Sequence, residues 1–144
     1  LGQDLTGWRC LDAFAGTGAL GLEAASRGAQ AVILVEQDAA LVAQLQKHAQ
    51  RLQASALQIV RGDGLNALRQ AEPGSCDLIF LDPPFDANLF EPALKAAAQA
   101  LKASGWIYLE APSAWPNEAL AALGLQCHRH LKAGMVHAHL LCVA

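Results

Sequence analysis

Short runs rich in valine, isoleucine and leucine alternate along most of this chain with alanine- and leucine-rich stretches of helical period. The pattern leaves few folds open, because strands joined by helices lie parallel in one sheet with the helices packed on its faces. Strands are expected at residues 9–14, 31–35, 57–61, 76–81 and 106–110, and helices at 19–27, 38–52, 63–68, 90–101 and 118–123. Val32-Ile33-Leu34-Val35 is continuous rather than alternating, which suits a strand buried on both faces. In the second helix Leu41, Leu45, Ala49 and Leu52 share one stripe, and Asp38 stands where an N-cap belongs.

The tail breaks the alternation. Residues 125–131 and 136–143 read as strands with only Lys132-Ala133-Gly134-Met135 between them, too few for a crossover helix, so they pair as an antiparallel hairpin. The expected fold is therefore α/β and Rossmann-like, a mainly parallel sheet with helices on both faces and a C-terminal antiparallel hairpin. At 144 residues, 53% hydrophobic and 16% charged, the chain is expected to form one compact domain over 1–144. No apolar run reaches the roughly 18 residues of a membrane span, and no signal-peptide pattern opens the sequence, so a cytoplasmic location is expected. Cys10, Cys76, Cys127 and Cys142 lack metal-ligand spacing and are read as small buried hydrophobes.

In an open α/β sheet, ligands bind beyond the carboxyl ends of the strands where the winding direction switches. The loop after the first strand is Gly16-Thr17-Gly18-Ala19-Leu20-Gly21, whose glycines let the backbone turn tightly and approach a ligand closely. Glu36, ending the second strand, suits a carboxylate that accepts both ribose hydroxyl protons. Together they indicate an adenosine-containing cofactor, and the loop by itself fits NAD as well as a methyl donor. Asp12 favours the second. A pyrophosphate wants the helix N-terminus free of anions, whereas a carboxylate feeding the loop suits the cationic S-adenosylmethionine. Asp63 is placed to accept the adenine amino group.

The fourth strand ends in Asp82-Pro83-Pro84-Phe85. Two prolines fix φ and remove two donors, giving a stiff loop with outward carbonyls. The Asp82 carboxylate and Pro83 carbonyl can each accept one N–H of an exocyclic aromatic amine, turning its lone pair toward a methyl group. Positioning of this kind supplies up to about 7–11 kcal/mol of a barrier. Phe85 offers a flat face for base stacking, worth about 1–3 kcal/mol. A base within a helix has to be flipped out to reach such a site.

With these motifs in hand, the sequence resembles the class I methyltransferases, specifically the RsmD-type bacterial enzymes that methylate guanine N2 in small-subunit (16S) ribosomal RNA. The resemblance rests on the run from Leu11 to Ala24, on Val35-Glu36, on Leu81-Asp82-Pro83-Pro84-Phe85, and on Lys132-Ala133-Gly134. It implies a sheet of order 3-2-1-4-5-7-6. It also implies S-adenosylmethionine as cofactor, in a pocket formed by Asp12, Phe14, Ala15, Gly16, Gly18, Leu20, Glu36, Gln37, Asp63, Gly64 and Asp82. Asp82, Pro83, Pro84 and Phe85 would hold the target base and carry the catalysis. The implied partner is ribosomal RNA or an assembling small subunit, met by a monomer away from membranes. The family carries a basic extension ahead of the first strand, which this sequence does not include. The net charge of −3, with 10 Lys and Arg against 13 Asp and Glu, argues mildly against a nucleic-acid partner, since such a binder usually shows a positive face; the resemblance implies that the extension would carry that charge.

Two other readings stay open: an adenine-N6 or glutamine-N5 methyltransferase, and a non-catalytic nucleotide-binding domain. The first class more often carries Asn or a terminal Tyr in the four-residue motif, from which Asp82 and Phe85 depart. His128, His130, His137 and His139 alternate along the last two strands, and symmetry about Ala133-Gly134 would set His130 opposite His137 and His128 opposite His139. A metal site is conceivable there. A solvated or RNA-facing polar surface accounts for the pattern without one, and no metal is expected.

Overall fold

The computed structural model describes residues 4–52, 55–84 and 87–144. Its elements follow in the order β1 (Arg9–Asp12), α1 (Ala19–Ser26), β2 (Ala31–Glu36), α2 (Ala39–Arg51), β3 (Leu57–Arg61), α3 (Gly64–Gln70), β4 (Cys76–Leu81), α4 (Ala87–Ala100), β5 (Leu101–Ala111), α5 (Asn117–Ala122), β6 (Leu125–Ala133) and β7 (Val136–Val143). They build one seven-stranded sheet of order β3-β2-β1-β4-β5-β7-β6. The β1–β2, β1–β4, β2–β3 and β4–β5 pairs are parallel, and β7 runs antiparallel to both β5 and β6. This is the Rossmann-like class I order. No helix among the described residues is long and apolar enough to cross a membrane.

The two faces of the sheet carry separate apolar clusters. Ile79, Leu81, Ile107 and Leu109 pack with Leu94, Ala97 and Leu120 of α4 and α5. Cys10, Val32, Leu34, Leu78 and Phe80 pack with Ala24 of α1 and Leu45 of α2 on the other face. Each leucine or isoleucine removed from water in this way contributes about 1.5–3 kcal/mol. The Asp38 carboxylate caps α2, accepting from the Ala40 and Leu41 N–H groups. Burial pushes the thiols of Cys10 and Cys76 up, that of Cys10 to about 12, which keeps both unreactive.

The structure departs from the sequence reading at three places. First, β1 stops at Asp12, because Ala13 and Phe14 turn off the sheet into the glycine loop. Second, Leu101 opens β5 instead of closing α4. It pairs with Cys76, and a register shift before Leu78–Trp106 absorbs the extra length. Third, the hairpin turns on Gly134 (φ 61°) and Met135, so Ala133 pairs with Val136 and His130 with His139, not with His137. A bulge at Cys127–Arg129 then takes His128 out of the ladder, and its ring packs edge-on against Trp106. His130 and His137 still meet through their rings, Nε2 to Nδ1 at 2.8 Å. His139 is buried; its Nε2 accepts from the Trp115 N–H at 3.1 Å, leaving the Nδ1 proton to face the Leu109 carbonyl. Among the described residues no group of three or more His, Cys, Asp or Glu is placed to hold a metal ion.

Candidate active site

The winding switches between β1 and its two neighbours, β2 and β4, and there the strands' carboxyl ends open onto a cavity of about 640 Å³. The loop after β1 contributes Ala13, Phe14 and Gly16, and the end of β2 contributes Val35, Glu36 and Gln37. Gly62, Asp63 and Gly64 enter from the turn after β3, Asp82, Pro83 and Pro84 from the turn after β4, and Leu89 from α4.

Backbone groups fix the loop geometry. The Gly16 N–H donates to Glu36 Oε1 and the Asp38 N–H to Glu36 Oε2, each at 2.8 Å. One carboxylate thus clamps two loops, and each oxygen keeps a second lone pair for a ligand. The Ala15 N–H reaches the Val35 carbonyl at 2.9 Å and the Gly62 N–H the Glu36 carbonyl at 3.0 Å, tying the β1 and β3 loops to β2. Glycine is required twice. Gly18 caps α1 at φ 83°, where an added Cβ would lie 2.2 Å from Leu45 Cδ2. A Cβ on Gly64 would sit 2.1 Å from the Ala13 carbonyl oxygen, backbone against backbone. Asp63 caps α3, its Oδ2 accepting from the Asn66 N–H at 3.2 Å.

Asp12 does not line the cavity. It is 2% exposed at the end of β1, and its carboxylate accepts from the backbone N–H groups of Phe14 and Gly21, holding the glycine loop from beneath. Burial raises its pKa to about 7; the Phe14 N–H opposes that rise, and the charges of Asp82 and Glu36 add to it. Ala15 and Gly18 are likewise buried behind the loop, and Leu20 packs into the cluster on that face. Gly16, Phe14, Glu36, Gln37, Asp63, Gly64 and Asp82 are brought together around the cavity, with Pro83 and Pro84 on the same wall. Phe85 lies outside the described residues.

Asp82 stands exposed at the rim, and its carboxyl is raised to about 6, first by lost hydration and then by the charge and hydrogen bond of Glu110. Glu110 comes from β5, one step past the parallel pair Leu81–Leu109. The Tyr108 hydroxyl donates to Glu110 Oε1 at 3.1 Å. Sequence reasoning missed Ala13, Val35, Gly62 and Leu89 of the cavity lining, and Glu110 beside Asp82. A signal for Glu110 was present, since Asp12, Glu36, Asp63 and Asp82 also sit at or just past the ends of their strands.

The cavity suits a cationic, adenosine-bearing ligand. Glu36 offers free lone pairs at one end, and Ala13, Phe14, Val35 and Leu89 supply apolar walls for a flat ring. Acidic groups surround it, and Gly64 sits where a side chain would collide with the scaffold.

The family described as Conserved hypothetical protein 95 matches residues 1–142. The Ribosomal RNA small subunit methyltransferase D of Haemophilus influenzae is 41% identical over 106 residues, covering 70% of this chain and 55% of that protein. The protein of the same name from Escherichia coli K12 is 39% identical over 103 residues, covering 72% and 50%. The chain thus spans about half the length of the curated relatives it matches. A solved structure described as a conserved hypothetical protein of Streptococcus pyogenes superposes with a TM-score of 0.86 at 26% identity, covering 99% of this chain and 90% of that one. Motifs, fold and sequence identity agree, and the chain belongs to the Conserved hypothetical protein 95 family, the RsmD type that its motifs resemble.

Proposed function

We propose that this chain binds S-adenosylmethionine and transfers its methyl group to the exocyclic N2 amine of a guanine in small-subunit ribosomal RNA. The observation that carries the reading is the shared cavity, which sets the glycine loop and Glu36 against Asp82-Pro83-Pro84. The RNA substrate follows the names of the relatives.

Gly16 and the first turn of α1 hold the amino-acid end of the methyl donor, Glu36 accepts from its ribose hydroxyls, and Asp63 with Gly64 borders its adenine. Asp12, Ala15, Gly18 and Leu20 support the loop, and Gln37 closes one side. Bound there, S-adenosylmethionine supplies a methyl group on a sulfonium. The Asp82 carboxylate and the Pro83 carbonyl accept the two N–H groups of the amine, and Pro84 keeps the loop stiff. Asp82, ionised above about pH 6, is placed to take the proton that the nitrogen sheds as its bond to carbon forms. Phe85 stacks on the base. The protein acts in the cytoplasm as a monomer, on ribosomal RNA or an assembling small subunit.

Asp82→Ala is the direct test, with methyl transfer to small-subunit ribosomal RNA and calorimetric titration of S-adenosylmethionine measured side by side. Transfer should fall on the order of 100-fold or more while cofactor affinity stays nearly unchanged. Undiminished turnover, or methyl groups appearing on adenine, would remove the assignment.

A further inference from the structure

Asp82 and Glu110 lie side by side at the carboxyl edge of the sheet, one step past the parallel pair Leu81–Leu109. Glu36, Asp38 and Asp63 each accept backbone N–H groups, and Asp12 accepts two from beneath the loop. Glu110 instead meets a hydroxyl, that of Tyr108, and the Asp82 carboxyl. Tyr108 is held in turn by an edge-on contact with Phe80, so the Glu110 carboxylate is oriented by a side chain that is itself packed. Parallel pairing sets the two carboxyls alongside each other, where an N–H donor can be accepted between them.

We infer that Glu110 is a specificity-determining residue that accepts the N1–H of the target guanine beside the amine held by Asp82. The assignment rests on the proposed guanine-N2 chemistry and deepens it. On the pairing edge of guanine, N1–H and the N2 amine are adjacent donors, three N–H groups in a row. Asp82 and Pro83 take the two on N2. The third falls toward the next strand, where parallel pairing sets Glu110 alongside Asp82. Adenine offers a lone pair at N1 next to its amine, and a carboxylate repels a lone pair. A wall of two carboxyls therefore selects guanine through the proton its ring carries as well as through its amine. The groups facing Asp82 are Glu110 and Tyr108 from β5 and Asp12 from β1.

The test compares wild type with Glu110→Gln on two synthetic RNAs. These span the methylated position of small-subunit ribosomal RNA, located first by mass spectrometry, and carry there either guanine or 2-aminopurine, which keeps the amine but has a lone pair at N1. Wild type should prefer guanine by roughly 10- to 100-fold in kcat/KM. In Glu110→Gln that ratio should collapse toward one, because an amide can accept from N1–H or donate to N1. The acidic limb of the rate profile should also move below its wild-type position near pH 6, since the charge that raises Asp82 is gone. Tyr108→Phe, which removes only the hydroxyl that orients Glu110, should shift the ratio the same way by less. Transfer with the ratio unchanged in both variants overturns the role of Glu110 alone. A wild type that methylates no guanine overturns the guanine-N2 reading and this role with it.

Discussion

The two sides of the cavity use carboxylates in opposite ways. On the side formed by β1, β2 and β3, every acid near the site is engaged by the main chain: Asp12 with Phe14 and Gly21, Glu36 with Gly16 and Asp38, Asp63 with Asn66. On the other side, where β4 ends at Asp82 and β5 runs alongside it, Asp82 and Glu110 meet each other and a tyrosine hydroxyl. Acids on the first side organise loops before any ligand arrives. Among the described residues, those on the second side accept no backbone N–H, which leaves them to a donor brought by the substrate. Preorganisation for the cofactor and readiness for the substrate are thus separated by strand.

The contrast predicts that stability resides on the first side. Gly64→Ala should have the largest effect, because the new methyl meets the Ala13 carbonyl, which belongs to backbone and cannot rotate away. A loss of about 3 kcal/mol, at the upper end of overpacking costs, is expected in urea denaturation. A midpoint equal to wild type would show that the β1 and β3 loops are not rigidly opposed. Glu36→Ala comes next, since two backbone N–H groups lose a charged acceptor, a loss of about 1.5–3 kcal/mol. Cofactor affinity should fall along with the melting temperature, and a change in only one of them would divide the clamp from the ribose site.

Asp12 gives a smaller effect that depends on pH. Its folded pKa of about 7 lies above the ordinary value of 3.8, so the folded chain holds a proton that the unfolded chain has released. Stability therefore rises as pH falls from 8 toward 4, and is lost as pH climbs through 7. Burial lowers His139, and His137 is lowered as well, so both oppose this trend at and below their ordinary value of 6.5. The cleanest window is pH 8 to 6.5, where the Tm of wild type should rise on acidification and that of Asp12→Asn should rise far less, by the small share that Asp82, raised to about 6, retains. Parallel slopes in the two proteins would place the buried proton elsewhere. Smallest of all, Glu110→Gln should change stability by less than about 0.5 kcal/mol. A drop like that of Glu36→Ala would put Glu110 among the acids that hold the scaffold.

The fold was largely legible because buried parallel strands write continuous apolar runs, and amphipathic helices write a stripe such as that of Leu41 and Leu45. Asp38 was readable as a cap by position alone, and the structure gives it that role. The start of β5 was hidden because Lys102-Ala103-Ser104-Gly105 carries no strand signature, and only the pairing of Leu101 with Cys76 draws it into the sheet. The hairpin register was hidden because it hangs on which two residues make the turn, and a bulge at His128 adds a shift that no periodicity announces. Most of the polar and glycine residues of the cavity on β1 to β4 could be read from glycine spacing, acidic strand ends and the Asp-Pro-Pro run, whereas its apolar lining, Ala13 and Val35, could not. Glu110 carried only the weaker signal of an acid at a strand end, and its place beside Asp82 shows in the pairing of β5 with β4.

The acids form a row at the strand ends. Glu36, Asp63, Asp82 and Glu110 set a negative potential over the cavity mouth, and over a Debye length of about 8 Å in physiological salt it pushes phosphates away. A polyanion is therefore held off this edge, and an uncharged base can enter only by swinging clear of its own backbone. Added salt would soften that barrier, in the opposite sense to its usual weakening of contacts between a protein and nucleic acid.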